Sequence, residues 1–153
     1  MSEEELDVLE LLIRHELAIK RLYEACAVAF PERRDLWQGI AGDEQRHSDT
    51  LGTLRSEDSA DKGSWFGNRL KPQAIKSSIA YVEKQTARAE GGYLSLREAL
   101  SVARDLETAL LEKQFSRMSG SAAAKVLLGL AADTEGHRRA FANALEAEKR
   151  RMP

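Results

Sequence analysis

Four stretches of this 153-residue chain step their apolar side chains by three and four, and each line is broken by one acidic residue. The first reads Leu9, Leu12, Glu16, Ile19, Tyr23, Cys26, Phe30, and the second Trp37, Ile40, Glu44, His47, Leu51, Leu54. The third is Leu96, Leu100, Ala103, Glu107, Leu110, Gln114, and the fourth Leu128, Ala131, Glu135, Arg138, Ala142, Leu145. A 3-4 step is the seam that a helix turns toward its neighbours in a bundle. Burying one ionised carboxylate without a partner costs on the order of several kcal/mol, so a chain with four such seams must bring positive charge inside.

The rest of the sequence supports helices. Three prolines, few β-branched residues and plentiful Ala, Leu, Glu, Arg and Lys favour them, and no convincing period-2 strand appears. Ser2-x-x-Glu5 has the form of a capping box opening a helix to Ala29, which Phe30-Pro31 ends; a second runs from Pro31 to Leu54. So short a link forces an antiparallel hairpin. Residues 56–71 lose periodicity and form the one long loop, with Trp65-Phe66 as its apolar anchor. Pro72 opens a third helix with Ile75, Ile79, Val82 and Thr86 on one face, stopped by Gly91-Gly92. Ser95-x-x-Glu98 caps a fourth helix that reaches Met118; Gly120 ends it, and Ser121 caps a last helix to Lys149.

Several function classes are disfavoured. With 23 basic and 25 acidic residues the net charge is -2, and no basic cluster offers a footprint for nucleic acid. The longest apolar run, 122–132, is broken by Lys125 and is far shorter than the ~20 residues of a membrane span. A single cysteine, Cys26, allows neither an internal disulfide nor a Cys-x-x-Cys unit. The acidic start, Met-Ser-Glu-Glu-Glu, is unlike a signal peptide. These features predict a cytoplasmic protein.

The acids repeat. Glu107 lies 91 positions after Glu16, and Glu135 lies 91 after Glu44. On the same offset Trp37 matches Leu128, Ile40 matches Ala131 and Leu54 matches Leu145, so two hairpins are expected about an approximate two-fold axis. His47, three after Glu44, shares its helical face. Four carboxylates and an imidazole meeting in a core repel one another unless cations sit between them, and two divalent ions would neutralise four acids.

Glu16 with Tyr23 seven later, Glu44-Gln45-Arg46-His47, Glu107 and Asp133-Thr134-Glu135-Gly136-His137-Arg138 together resemble the ferritin-like and rubrerythrin-like di-iron carboxylate proteins. The resemblance implies an all-α, ferritin-like four-helix bundle over 1–153. It would have two antiparallel helical hairpins, 3–56 and 94–149, and a long crossover, 57–93, containing an additional helix. It further implies two irons held by Glu16, Glu44, His47, Glu107 and Glu135, with Tyr23 hydrogen-bonding behind them. The implied activity is that of an oxidoreductase reacting with O2 or peroxide, as a ferroxidase or peroxide-reducing enzyme. No rubredoxin-like Cys-x-x-Cys module is encoded, so an external electron donor is required.

One position departs from the family pattern. Three after Glu135 stands Arg138 in place of histidine, while His137 sits one place early, about 80° off the apolar face. The Arg138 guanidinium would replace one metal by bonding Glu135 or Glu107, leaving one ion or none, or it would swing to the bundle's edge and leave room for two. The competing reading is a metal-free helical interaction or structural protein whose acids are neutralised by Arg138, Lys20 and Arg46. Leu11, Ile13, Leu17 and Leu22 offer a second packing surface on the first helix, for the crossover helix or a partner in a homodimer. His15 reads as a surface or interfacial histidine, and Cys26 as a small buried hydrophobe.

Overall fold

The computed structural model describes residues 3–56, 71–114 and 124–151. Its helices are α1 (Glu3–Ala29), α2 (Arg34–Ser56), α3 (Pro72–Glu90), α4 (Leu96–Ala109) and α5 (Ala124–Arg151). A 3₁₀ turn, Pro31–Arg33, joins α1 to α2, and α4 continues into a π-helical turn, Leu110–Gln114. Among the described residues there is no strand, and no helix is long and apolar enough to cross a membrane. The capping box at Ser2, the loop around Trp65-Phe66 and the Gly120-Ser121 junction lie outside the described residues.

Local chemistry sets the boundaries. Phe30 leaves helical geometry at φ −127°, ψ 72°, as the residue before a proline tends to, and Pro31 opens the tight turn. α2 therefore begins at Arg34 rather than at Pro31. Beyond the turn the chain doubles back: Tyr23 meets Trp37 with ring centroids 5.7 Å apart, and farther along Arg55 reaches Glu10 at 3.6 Å. α3 ends where Gly92 takes a left-handed φ of +77°, a conformation that would strain a side chain. At the start of α4 the capping box forms as the sequence predicts. The Glu98 amide donates to Ser95 Oγ at 3.1 Å, and the Ser95 amide to Glu98 Oε1 at 2.9 Å.

The hairpin α1–α2 and the pair α4–α5 meet along α2 and α5. His137 approaches Asp43 at 2.8 Å and Arg33 approaches Glu148 at 3.1 Å, so these two helices run antiparallel. α3 lies on α1. A second stripe of α1, namely Val8, Leu11, His15, Ala18 and Leu22, is buried, and His15 Nε2 sits 2.8 Å from Ser78 Oγ of α3. The crossover helix thus covers much of the surface that Leu11 and Leu22 offered, leaving Ile13 and Leu17 half-buried.

The seams of α1 and α2 are buried throughout, acids included; α4 buries Leu100, Ala103 and Glu107, and the π-helical turn that follows it buries Leu110. The last helix differs from expectation. Its buried line is Leu130, Thr134, His137, Phe141, Ala144, Leu145 and Glu148, while Leu128 is 72% exposed and Glu135 and Arg138 are only half-buried. The face is turned by one residue, about 100°. Pairing Glu135 with Glu44 presumed equal spacing in both hairpins. In the second hairpin the buried position is Thr134, one place before Glu135, so the two spacings differ by one residue.

This register makes a direct prediction for urea unfolding. Phe141→Ala should cost about 3–5 kcal/mol, whereas Leu128→Ala should stay within about 0.5 kcal/mol. The reverse order would restore the face that the sequence suggested.

Candidate metal centre

α1, α2, α4 and α5 each bring polar side chains to one point between them. Glu16, Glu44 and Glu107 are all fully buried, with His47 2% and His137 6% exposed. Their ligand atoms form two groups, Glu16 with Glu44 and His47, and Glu44 with Glu107 and His137. Within each group the atoms lie within 4.8 Å of one another. Glu44 is common to both.

Each histidine is fixed from the opposite half of the chain. His47 Nε2 is 3.1 Å from Asp133 Oδ2, and His137 Nε2 is 2.8 Å from Asp43 Oδ2. An ionised carboxylate only accepts, so Nε2 carries the hydrogen and donates it. In the neutral imidazole this leaves the Nδ1 lone pair bare, and it is Nδ1 that faces the carboxylates. His137 Nδ1 stands 3.3 Å from Glu44 Oε1 and 3.5 Å from Glu107 Oε1, and His47 Nδ1 stands 3.6 Å from Glu44 Oε2. The two rings stack with centroids 5.7 Å apart.

Among the described residues, seven buried ligand atoms of this cluster have no hydrogen-bond partner. They are both oxygens of Glu16 and of Glu44, Oε2 of Glu107, and Nδ1 of His47 and of His137. Buried polar atoms are paired in most proteins, and among the described residues these atoms face mainly one another, which calls for shared protons or a cation between them. Around an ion with bonds of about 2.1 Å, neighbouring ligands stand about 3 Å apart and opposite ones about 4 Å. The carboxylate–imidazole separations of 3.3–3.6 Å fall inside that range, so the buried Glu and His groups could hold a metal ion. The donors are oxygen and imidazole nitrogen with no thiolate. Cys26, farther along the α1 seam, is buried, and burial pushes its thiol up to about 12.

Behind the cluster, Tyr23, Trp37 and Phe141 pack as a fully buried aromatic wall, with centroids 5.1–5.7 Å apart. The Tyr23 hydroxyl donates to Glu107 Oε1 at 3.1 Å. Burial and the facing carboxylates of Glu107 and Glu44 hold that hydroxyl firmly protonated. At the outer side Arg46 bonds Asp43 and lies 4.0 Å from Asp133, spanning the two aspartates.

In the metal-free protein, protons take the place of a cation. Burial and neighbouring Glu44 raise Glu16 well above the carboxylate range, and burial and Glu44 raise Glu107 to about 8. Burial opposes the charge on Glu44 as well, but Glu16 and both imidazoles outweigh it and keep it ionised. His137 is buried, which disfavours its charge, yet Glu107, Glu44 and Asp43 carry it to about 11. His47 is also raised, by Glu44 and Asp133 against the opposing effect of burial.

Of the residues singled out from sequence, Glu16, Glu44, His47 and Glu107 come together and Tyr23 joins them. Glu135 and Arg138 do not. Arg138 bonds Glu135 at 2.6 and 2.8 Å, Arg139 adds a contact at 3.3 Å, and all three stay at the outer face of α5. The turned register puts His137 in the cluster instead. Sequence reasoning also missed Asp43 and Asp133. The signal was present: Asp43-x-x-x-His47 returns as Asp133-x-x-x-His137, offset by 90 rather than 91.

The chain matches no family model, no curated protein and no solved structure in the three comparisons made. The site therefore rests on its own geometry.

The proton-filled cluster fixes the pH dependence of metal-free protein. Glu16, Glu107 and His137 have raised values. Their contributions are complete below the ordinary values and are lost as pH rises, toward about 8 for Glu107 and about 11 for His137. Glu44 is depressed, so its contribution is lost as pH falls below the carboxylate range. The melting temperature of chelator-treated protein should peak near about pH 5 and decline through about pH 8. A flat profile across that interval would show that the acids are not buried together.

Proposed function

We propose that this chain is a metal-binding helical bundle of the ferritin-like, rubrerythrin-like type, holding iron in the centre formed by Glu16, Glu44, His47, Glu107 and His137. The observation that carries the reading is the convergence of seven buried ligand atoms with no hydrogen-bond partner. Its other support is the hydrogen bonding of both histidines, which frees Nδ1 toward the carboxylates. Two carboxylate–imidazole groups that share Glu44 suit up to two ions.

Bound iron would supply the Fe(II)/Fe(III) couple toward O2 or peroxide, and hard oxygen ligands favour its oxidised form. The remaining roles belong to the chain. Glu44 joins the two positions, and Asp43 and Asp133 hold the imidazoles in one tautomer. Tyr23 orients Glu107, while the aromatic wall excludes water from that side. The metal-free alternative, as the sequence frames it, assigns three basic residues to the buried acids, and all three pair elsewhere. Arg138 holds Glu135, Arg46 holds Asp43, and Lys20 lies 3.9 Å from Glu24.

Anaerobic titration with Fe(II), followed by exposure to air, tests the proposal. Tight uptake and a near-ultraviolet band developing on oxidation are expected, and absence of uptake would overturn it. Substitutions separate this centre from the one suggested by the acid repeat. Glu44→Ala should abolish tight binding, and His137→Ala should weaken it by at least about 100-fold. Glu135→Gln should change it by less than about two-fold, because it alters only a surface ion pair.

A further inference from the structure

Away from the metal centre, α3, α4 and α5 border a cleft of about 400 Å³. Arg88 lines it from α3, Arg97, Ser101 and Arg104 from α4, and Lys149 from α5, with Glu98 the one acid among its lining residues. Buried Leu145 and half-buried Val102 give it an apolar side. Its volume falls within the roughly 300–1,000 Å³ of small-molecule sites. The bases come from three helices, so no run in the sequence marks them. None of them belongs to the metal centre.

Charge is unevenly placed there. Arg88 lies 3.6 Å from Glu98, Arg104 3.0 Å from Asp105 and Lys149 3.7 Å from Glu146, so with these flanking acids counted four bases stand against three carboxylates. A positive excess remains, in a chain whose net charge is -2. The acids also reach farther into water. Their side chains are 56–67% exposed, whereas those of Arg88, Arg104 and Lys149 are 34–45% exposed. Water therefore screens the acids more than the bases, and surface pairs of this kind offset little. Two guanidinium groups are positioned in advance. Arg88 donates to Gln85 Oε1 at 2.8 Å and to the Tyr93 carbonyl at 3.4 Å, and Arg104 Nη2 donates to Ser101 Oγ at 3.3 Å. Gln85 is itself buried. A guanidinium held in this way gives up less freedom when it binds an anion.

We propose that this cleft binds a small phosphate ester, its phosphate bonded by Arg88, Arg97, Arg104 and Lys149 and its carbon part set against Leu145 and Val102. The planar fork of arginine matches two phosphate oxygens at once, and a phosphate brings more charge and more acceptor oxygens to a group of bases than a carboxylate does. The apolar side distinguishes an ester from the bare anion, since only the ester has surface to bury there.

Isothermal titration of the chelator-treated full chain with phenyl phosphate and with inorganic phosphate, at an ionic strength of about 0.15 M, tests this inference. Chelator treatment keeps either probe from binding through a metal ion. One-to-one, saturable binding of phenyl phosphate is expected, at least about 10-fold tighter than that of inorganic phosphate. Arg104→Gln and Lys149→Gln should each weaken it by about 10-fold. Arg14→Gln makes the same change of net charge at an exposed position of α1 and should alter it by less than about two-fold. Amide shifts on binding should concentrate around Ser101 and Arg104. Failure to saturate, equal affinity for the two phosphates, or an equal loss in Arg14→Gln would overturn the inference and leave the metal centre untouched. If Arg104→Gln loses its helical circular dichroism, Lys149→Gln set against Arg14→Gln decides.

Discussion

Seven ligand atoms buried without hydrogen-bond partners, at the meeting point of four helices, form the constraint on which the rest of this structure depends. Three fully buried carboxylates cannot all stay ionised in each other's company unless positive charge is supplied. The chain supplies some of it as two imidazoles and meets the remainder with protons on Glu16 and Glu107. A divalent cation answers the same need with the same atoms. The apolar seams, the tight turn at Pro31 and the aromatic wall all hold these five side chains at one depth.

The first hairpin was readable almost residue by residue. The 3-4 step from Leu9 to Phe30 and from Trp37 to Leu54 is buried at every position, because both helices are regular and the link between them is short. Capping at Ser95 and the stop near Gly92 could also be read, since each depends on the chemistry of a few adjacent residues. The last helix could not be placed by the same means. Its composition allows two faces one residue apart, and Glu135 drew the choice toward the wrong one. The burial of Phe141 and the pairing of His137 with Asp43 fix the true face, and both depend on α2 being in place. Half of the site was thus written in local periodicity, and the other half in contacts between segments 90 residues apart.

The duplication is imperfect in an informative way. The histidine and the aspartate that orients it occur in both halves, as does the acid on the first helix of each hairpin, Glu16 and Glu107. The acid of the second helix survives only as Glu44, which for that reason faces both imidazoles and keeps its charge. Thr134 fills its counterpart's place without filling its role. The outward pair of Glu135 and Arg138 is an ordinary solvated contact one residue along the helix.

The crossed pairing of His47 with Asp133 and of His137 with Asp43 carries a consequence for how the molecule comes together. Neither hairpin owns a finished histidine. Each ring borrows its orientation from the other half, so before the two halves dock both imidazoles are free to rotate and to exchange tautomers. Ligand geometry and the joining of the hairpins are therefore a single event. A cation captured there would add one more tie across the seam between α2 and α5, where His47–Asp133 and His137–Asp43 already join the two halves.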